Sequence, residues 1–253
     1  MPHASVNSRI GLPFLVLDKV DSSNNYAMAQ YHAGLAKHGQ AYFALHQLAG
    51  KGQRGRTWNA LPHENITISV VIHPDFPNNR YPFLLSAVVS LACIDLLNDL
   101  RIPDFTIKWP NDIYWCDRKA GGILIENVYR TNEWKASIVG IGLNINQTEF
   151  PTQETIPVSL KQITGTDNDP IELAKLLCLK LNERYNQLLE GDQVAILKEY
   201  NSMLFKKGEQ VKLKKGNIVF ETTIEGVTIM GELQTRDTID RTFVFGEVEW
   251  VLV

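Results

Sequence analysis

Residues 46–60 read HQLAGKGQRGRTWNA, and the segments on either side of this glycine-rich stretch decide the fold. One strand-like run, AYFALHQ, leads into it at residues 41–47, and another, NITISVVIH, follows at residues 65–73. Gly50 to Thr57 is one residue away from the P-loop pattern, which needs a helix N-terminus directly after the loop to complete its phosphate cradle. Because Pro62 and a strand follow instead, the pattern predicts two strands joined by a glycine loop and argues against a P-loop.

The same stretch concentrates positive charge. Lys51, Arg54 and Arg56 lie in it without a carboxylate, whereas the whole chain carries a formal net charge of -3. Glycines let backbone N–H groups approach an anion closely, and arginines bind phosphate through paired hydrogen bonds. Two interpretations stay open at this point: a phosphate clamp, or a solvated, flexible basic loop.

Length and composition predict a globular protein with a packed core, since the chain has 253 residues of which 44% are hydrophobic. Its three widely spaced cysteines form no C-x-x-C pair, which argues against both a disulfide framework and a zinc site. The apolar run near the N-terminus is interrupted by Pro13 and ended by Asp18, so neither a secretory signal nor a membrane span is expected. We therefore expect a cytoplasmic protein, without membrane association and without the basic face of a DNA-binding protein.

Periodicity and turn residues divide the rest of the chain into elements. Helices are predicted at residues 22–39, with Ser22 or Ser23 as N-cap and Gly39 as the end, and at residues 81–100, 170–190 and 192–204. Further strands are predicted at residues 14–20, 105–109, 119–129 and 134–146. The Thr-, Pro-, Gln- and Glu-rich residues 147–165 predict a long loop, and the short runs after Phe205 predict a small β-barrel.

A second candidate element is KWPNDIYWCDRKAGGILIE, residues 108–126. It is predicted to hold four polar residues around a turn between two apolar strands: Lys108, Asn111, Asp112 and Lys119. Gly121 and Gly122 remove side chains where a ligand would come close, although paired glycines also mark bulges. An ordinary turn with a Lys108–Asp112 pair is the alternative, and Asn144 and Asn146 in GIGLNIN are equally compatible with polar turn residues.

Taken together, these motifs resemble those of the biotin protein ligase family. The similar segments, in the family's order, are DSSNNYA, GKGQRGRTW, KWPND, RKAGGILIE and GIGLNIN. The resemblance implies an α+β fold in which helices flank a mixed β-sheet, similar to class II synthetases, with an SH3-like β-barrel at the C-terminus. It further implies a catalytic domain over residues 1–205 and the barrel over residues 206–253. Lys51 and Gln53 depart from the family pattern, in which arginine is frequent at both positions.

The resemblance also implies a reaction. ATP and biotin, with Mg²⁺ accompanying ATP, form biotinyl-5′-AMP, and a lysine of a biotin carboxyl carrier protein then takes the biotin. The first motif begins near residue 18, so no DNA-binding module is expected; a homodimer is compatible with these features. Three alternatives are a lipoate protein ligase, whose own arginine and triple-glycine signature is absent, a non-enzymatic biotin-responsive regulator, and a P-loop phosphotransferase.

Site residues follow from the resemblance position by position. The residues implied for biotin are Ser22, Ser23, Asn24, Gln47, Gly50, Lys51, Gly52, Gln53, Lys119 and Gly122. Those implied for ATP and the adenylate are Lys51, Arg54, Arg56, Trp58, Lys108, Asn111, Lys119, Asn144 and Phe150. Three of the residues are assigned to catalysis: Lys119 between the biotin carboxylate and the α-phosphate, Asp112 as its partner or as the acceptor of a proton, and Arg54 facing the triphosphate. No metal-ligating residue is expected.

Overall fold

The computed structural model describes residues 9–77, 79, 81–151 and 155–251. A mixed seven-stranded sheet forms its centre, in the spatial order β1-β2-β3-β7-β6-β5-β4. Its strands are β1 Phe14–Val20, β2 Ala41–Gln47, β3 Asn65–Ile72, β4 Phe105–Lys108, β5 Asp112–Trp115, β6 Arg118–Arg130 and β7 Glu133–Asn144. Strands β1 and β2 pair in parallel, and the other neighbours pair antiparallel. The mixed sheet expected from the sequence is confirmed.

Helices cover both faces of this sheet: α1 Ser23–His32, α2 Phe83–Asp99, α3 Leu160–Thr164, α4 Pro170–Leu189 and α5 Gln193–Ser202. Helix α1 packs on β2, β3 and β7, whereas α2 packs on β4, β5 and β6 and against α4 and α5. Helix α2 is apolar around most of its circumference because it is enclosed between the sheet and the other helices. Arg184 of α4 joins these helices by donating to Asp95 at 2.6 and 2.7 Å and to Glu199 at 2.6 and 2.7 Å.

Helix α1 is shorter than its sequence predicted. Ser22 is its N-cap, with a hydroxyl that accepts from the backbone N–H of Asn25, but the helix ends at His32 and not at Gly39. Gly39 serves the turn into β2: its φ is +82°, and a Cβ there would lie 2.7 Å from the carbonyl oxygen of Arg9. A glycine that is required by a close backbone approach was thus misread as a helix stop.

Two further elements differ from the prediction. Residues 112–115, expected in a turn, form strand β5, because Ile113 and Tyr114 are buried and pair with both β4 and β6. The predicted loop 147–165 contains the short helix α3, which begins at a capping box formed by Ser159 and Gln162. Residues 152–154 of that loop lie outside the described residues.

The C-terminal segment forms a separate antiparallel sheet in the order β11-β10-β9-β8-β12. Its strands are β8 Gln210–Lys215, β9 Ile218–Val227, β10 Leu233–Arg236, β11 Asp240–Phe243 and β12 Glu249–Trp250. This arrangement is consistent with the expected SH3-like domain, although β11 and β12 stay at opposite edges, so the sheet of the described residues does not close. The division into residues 1–205 and 206–253 stays a prediction, and residues 252–253 of the last strand-like run lie outside the described part.

The two sheets meet near the end of β4. Trp109 donates from Nε1 to the carbonyl of Gly231 at 2.9 Å, and its ring lies 6.3 Å from that of Phe245. The backbone of Ile107 exchanges hydrogen bonds with Met203 and Phe205 at 2.8 and 2.9 Å. Loops of the C-terminal sheet therefore contact Trp109 of the KWPND motif, and the segment that precedes this sheet pairs with the end of β4. No helix of the described residues has the length and apolar character needed to span a membrane.

Candidate active site

A cavity opens where β1 and β2 end, above the middle of the sheet. Most of the residues implied for biotin line it, together with parts of β3, β6 and β7. Its lining residues are Ser22, Ser23, Asn24, Gln47, Lys51, Gly52, Gln53, Trp58, Thr67, Ile68, Asn111, Asp112, Lys119, Gly122, Ile123, Leu124, Gly140, Ile141 and Gly142. The topology explains this grouping, because the first turn of α1 and the glycine loop both leave the same end of the parallel β1–β2 pair.

Glycines of β7 make room for this cavity. A Cβ at Gly140 would lie 2.2 Å from Oδ1 of Asn24, and one at Gly142 would lie 2.5 Å from the indole of Trp58. Any side chain at either position would therefore displace a wall of the cavity. Their spacing of two residues places both on the same face of the strand.

The floor of the cavity is a network of neutral polar groups. Gln47 accepts from the backbone N–H of Ser23 at 2.7 Å. Ser69 donates to Oδ1 of Asn24 at 2.5 Å, and its hydroxyl lies 2.8 Å from that of Ser23. Hydroxyl and amide groups that are held in this way match a ligand with its own paired donors and acceptors, such as a ureido group.

One wall carries the charged pair. Nζ of Lys119 lies 2.7 Å from Oδ1 of Asp112, and both side chains are about four-fifths buried, with exposed fractions of 22% and 20%. Asp112 pairs in register with Gly122, where a Cβ would lie 3.4 Å from the carboxylate. Asn111 donates to the carbonyl of Ile123 at 2.6 Å, which fixes the turn before β5. The pair therefore faces the cavity, and a negative ligand group would meet a positioned ammonium.

The glycine loop covers this cavity. The backbone N–H groups of Gly52 and Trp58 donate to Arg56 and Gly50 at 2.7 and 2.8 Å, so the loop folds back on itself. A Cβ at Gly50 would lie 2.3 Å from the carbonyl oxygen of Trp58, which explains the glycine. Arg54, in a left-handed conformation with φ of +56°, has its guanidinium carbon 3.5 Å from where a Cβ of Gly246 would lie, and so reaches the C-terminal sheet.

A second cavity lies on the outer side of the loop. Its walls are formed by the loop backbone and by residues of α1 and β6: Asn25, Ala49, Gly50, Lys51, Gly52, Arg54, Gly55, Arg56, Thr57, Leu124 and Glu126. Lys51 and Gly52 line both cavities. The loop is therefore a partition between an inner polar cavity and an outer, more open one.

Five residues implied for the nucleotide do not line the inner cavity. Arg54 and Arg56, like Gly50 of the biotin set, line the outer cavity, and Lys108, Asn144 and Phe150 line neither cavity. Lys108 is buried, donates to the Tyr114 hydroxyl at 3.1 Å, and lies 4.6 and 5.4 Å from the ring centres of Tyr114 and Trp250. Asn144 is buried and donates to the carbonyls of Lys119 and Val158 at 3.3 and 3.1 Å. Phe150 is partly exposed in the segment after β7. Their assignment to the nucleotide stays a prediction.

We expect Lys108→Met to alter how stability depends on pH. Burial lowers the pKa of Lys108 to about 8, whereas the pKa of a lysine in an unfolded chain is about 10.4. Between these values the unfolded chain binds more protons, so the folded wild type gains stability as the pH rises through this window. The variant lacks that gain. Denaturant unfolding of both proteins at about pH 7 and about pH 10 measures the difference, and a difference that stays constant with pH would contradict the expectation.

Several residues at the site were not predicted from the sequence: Thr67, Ile68, Ser69, Leu124, Glu126, Gly140 and Gly142. Part of the signal was present, because the polar residues of β3 are spaced two apart, at Asn65, Thr67 and Ser69, which places them on one face. Glu126 is the last residue of the RKAGGILIE motif, but no role was assigned to its side chain. Within the part of the chain that the structure describes, no three side chains of His, Cys, Asp or Glu come together as a metal site.

Comparisons with known proteins point to one family. A profile of the biotin/lipoate A/B protein ligase family matches residues 16–144. The chain is 30% identical over 233 residues to the biotin–[acetyl-CoA-carboxylase] ligase of Paracoccus denitrificans, covering 89% of this chain and 95% of that protein. It is 27% identical over 236 residues to the bifunctional ligase/repressor BirA of Bacillus spizizenii, covering 90% and 72%. The solved structure of the biotin protein ligase from Aquifex aeolicus in complex with biotin and ATP aligns with a TM-score of 0.79 at 27% identity, covering 93% and 97%.

Proposed function

This chain belongs to the biotin/lipoate A/B protein ligase family, and from that membership we propose that it activates biotin with ATP and transfers it to a carrier-protein lysine. The observation that carries the proposal is the inner cavity, in which a neutral polar floor and the Lys119–Asp112 pair lie beside Lys51 of the basic loop, whose Arg54 and Arg56 line the adjoining outer cavity. Each of these parts matches one group of the reactants: the ureido ring, the carboxylate and the phosphates.

In the first step, an oxygen of the biotin carboxylate attacks the α-phosphorus of ATP. A bond from that oxygen to phosphorus forms, the bond from the α-phosphorus to the bridging oxygen breaks, and pyrophosphate leaves with the bond's electron pair. Carboxylate and phosphate repel each other, and the ammonium of Lys119 reduces this repulsion if it lies between them. Ser22, Ser23, Asn24 and Gln47 orient the ureido ring, so the carboxylate points towards Lys119.

In the second step, the neutral amine of the acceptor lysine attacks the carbonyl carbon of the biotinyl-adenylate. An amide bond forms, the bond from the carbonyl carbon to the phosphate oxygen breaks, AMP leaves with that bond's electron pair, and the nitrogen loses a proton. Asp112 is the carboxylate that lines the cavity beside Lys119, and we assign it the role of proton acceptor. Its pairing with Lys119 also orients the ammonium for the first step.

The phosphates of ATP are assigned to the basic loop. Arg54 and Arg56 face the triphosphate, and Trp58, Asn111, Lys108, Asn144 and Phe150 are assigned to the nucleotide as the resemblance implies. Mg²⁺ is assigned to the phosphate oxygens and water, since the cavity lacks a carboxylate cage and its Asp112 is already paired. Bound in this way, the ion would neutralise charge on the leaving pyrophosphate.

The partner that this function requires is a biotin carboxyl carrier protein or domain with an exposed acceptor lysine. The covalent product is a carrier heavier by one biotin in amide linkage. We further propose a cytoplasmic location and no DNA partner. These assignments rest on the family and on the expectations from composition.

Incubation with ATP, Mg²⁺, biotin and a purified carrier domain tests the proposed transfer. We expect the mass of one biotin on a single lysine of the carrier, and no product when that lysine is replaced by arginine. An excess of lipoate should leave the yield unchanged. Lipoylation of an acceptor domain in preference to biotinylation would assign the chain to the other branch of the family.

Ligand-dependent protection of the glycine loop is a second expected outcome. Arg54 and Arg56 are exposed, and glycines at positions 50, 52 and 55 make the loop easy to rearrange. An anion between the loop and the floor should draw the cations inward and slow tryptic cleavage after both arginines, about tenfold at ligand concentrations near tenfold Kd. Mass spectrometry of timed digests measures the rate. Equal rates with and without biotin plus ATP would contradict closure of this loop.

A further inference from the structure

The proposed reaction assigns no role to Glu126. It lies on β6 in the wall of the outer cavity, and its side chain is 31% exposed. Its two carboxylate oxygens have different partners. Oε2 accepts from Nδ2 of Asn24 at 2.8 Å, and Oε1 lies 3.7 Å from Nζ of Lys51.

The contact with Asn24 fixes the carboxylate to the floor of the inner cavity. Asn24 is 4% exposed, and its Oδ1 accepts from Ser69 at 2.5 Å. The absence of a side chain at Gly140 leaves just enough space for that amide, since a Cβ there would lie 2.2 Å from its oxygen. The amide cannot rotate without losing these contacts, so its NH₂ group stays directed at Glu126.

The contact with Lys51 reaches the glycine loop. Lys51 lines both cavities, so its ammonium lies at the partition between them. Gln53 adds a longer contact to the same strand by donating to the carbonyl of Ile123 at 3.4 Å. Of these two contacts between the loop and β6, the one between Lys51 and Glu126 is an ion pair. It attaches the loop to a carboxylate that already accepts a hydrogen bond from Asn24 in the floor of the inner cavity.

We propose that Glu126 is a positioning residue that holds the glycine loop against the floor of the inner cavity, with one oxygen on each. The reaction needs such a device, because the mixed anhydride must remain enclosed between the two steps. The loop-holding role of Glu126 follows from contacts that are present without ligand. Its expected effect on dissociation of the biotinyl-adenylate rests on the proposed function. Glu126 touches neither the reacting carboxylate nor the phosphates in this scheme, and it acts through Asn24 and Lys51.

Glu126→Gln separates the two contacts. The amide retains an oxygen that accepts from Asn24, but it loses the charge that attracts Lys51. For a partly exposed ion pair, we expect tryptic cleavage after Arg54 and Arg56 in the ligand-free protein to quicken roughly two- to fivefold. Dissociation of preformed biotinyl-adenylate should quicken by a similar factor. Lys51→Met should reproduce the effect on cleavage, and the double variant should be no faster than either single variant, because both remove the same pair.

Glu133→Gln is the matched control, since it removes a lysine-paired carboxylate at the far end of the β6–β7 hairpin. It should leave both rates at the wild-type values. Glu126→Ala also removes the acceptor for Asn24, so it should weaken biotin binding further than Glu126→Gln does. The proposal is overturned by unchanged cleavage in Glu126→Gln, by additive effects in the double variant, or by quickened cleavage throughout the chain. Because the cleavage assay needs no ligand, it tests the loop-holding role of Glu126 even if the chain does not activate biotin.

Discussion

Replacing Lys119 with glutamine should lower the rate of biotin adenylation by roughly 10² to 10³ while leaving biotin affinity within a few-fold. The ammonium of Lys119 is held 2.7 Å from Asp112 in the wall of the cavity, and in the proposed mechanism it meets the charge that develops as carboxylate oxygen bonds to phosphorus. Glutamine has a similar length but no charge, so it retains the shape of the wall and removes the electrostatic contribution. Single-turnover formation of biotinyl-adenylate measures the rate, and calorimetry measures biotin binding.

The alternative for Lys119 is a purely structural ion pair with Asp112. A partly exposed pair contributes about 0 to 1 kcal/mol to the free energy of unfolding, and its loss would barely affect the rate. Lys175→Gln is a matched control, because Lys175 pairs with Glu172 on the exposed side of α4. Near-normal adenylation by folded Lys119→Gln would contradict the catalytic role. The expected result is a large loss of adenylation rate with an unchanged melting temperature in Lys119→Gln, and a normal adenylation rate in Lys175→Gln.

Asp112→Asn should damage the second step more than the first. Asparagine retains an oxygen that accepts from Nζ of Lys119, so the ammonium stays oriented and adenylation falls by no more than about tenfold. The amide cannot accept a proton from the incoming lysine, and general-base catalysis contributes roughly 10² to 10⁴ in rate. Transfer of biotin from preformed adenylate to the carrier should therefore fall by about 10² or more.

Rapid mixing of adenylate-loaded enzyme with carrier measures that transfer separately from adenylation. Asp117→Asn is the control, since Asp117 is an exposed carboxylate in the next turn that pairs with Lys206 at 3.3 Å. Normal transfer combined with collapsed adenylation would place Asp112 in the first step only. Raising the pH should restore part of the transfer rate in Asp112→Asn, because more of the acceptor amine is then neutral.

The grouping of the main motifs was predictable from the sequence because it depends on local order along the chain. Ser22 and Ser23 follow β1, the glycine loop follows β2, and two neighbouring strands of a parallel pair end at the same edge. The prediction of a turn at Asp112 was wrong in detail, since Asp112 begins strand β5. That strand's register brings it beside Gly122 and within reach of Lys119.

Features that depend on distant parts of the chain were not predictable. Lys108 shares the KWPND motif with Asn111 and Asp112, yet its ammonium is enclosed by Tyr114 and by Trp250 of the C-terminal sheet. Glu126 ends the RKAGGILIE motif, and the role that we propose for it depends on Asn24, which lies 102 residues away. Contacts of this kind come from the packing of whole elements, which hydrophobic periodicity does not encode.

Biotin-dependent exchange of labelled pyrophosphate into ATP tests the central claim most directly, because exchange requires the reversible formation of an acyl-adenylate. We expect label to enter ATP when biotin, Mg²⁺ and the purified chain are present, and not when biotin is left out. Lipoate at the same concentration should not replace biotin. Absence of exchange with biotin in the folded protein, or equal exchange without it, would contradict the account.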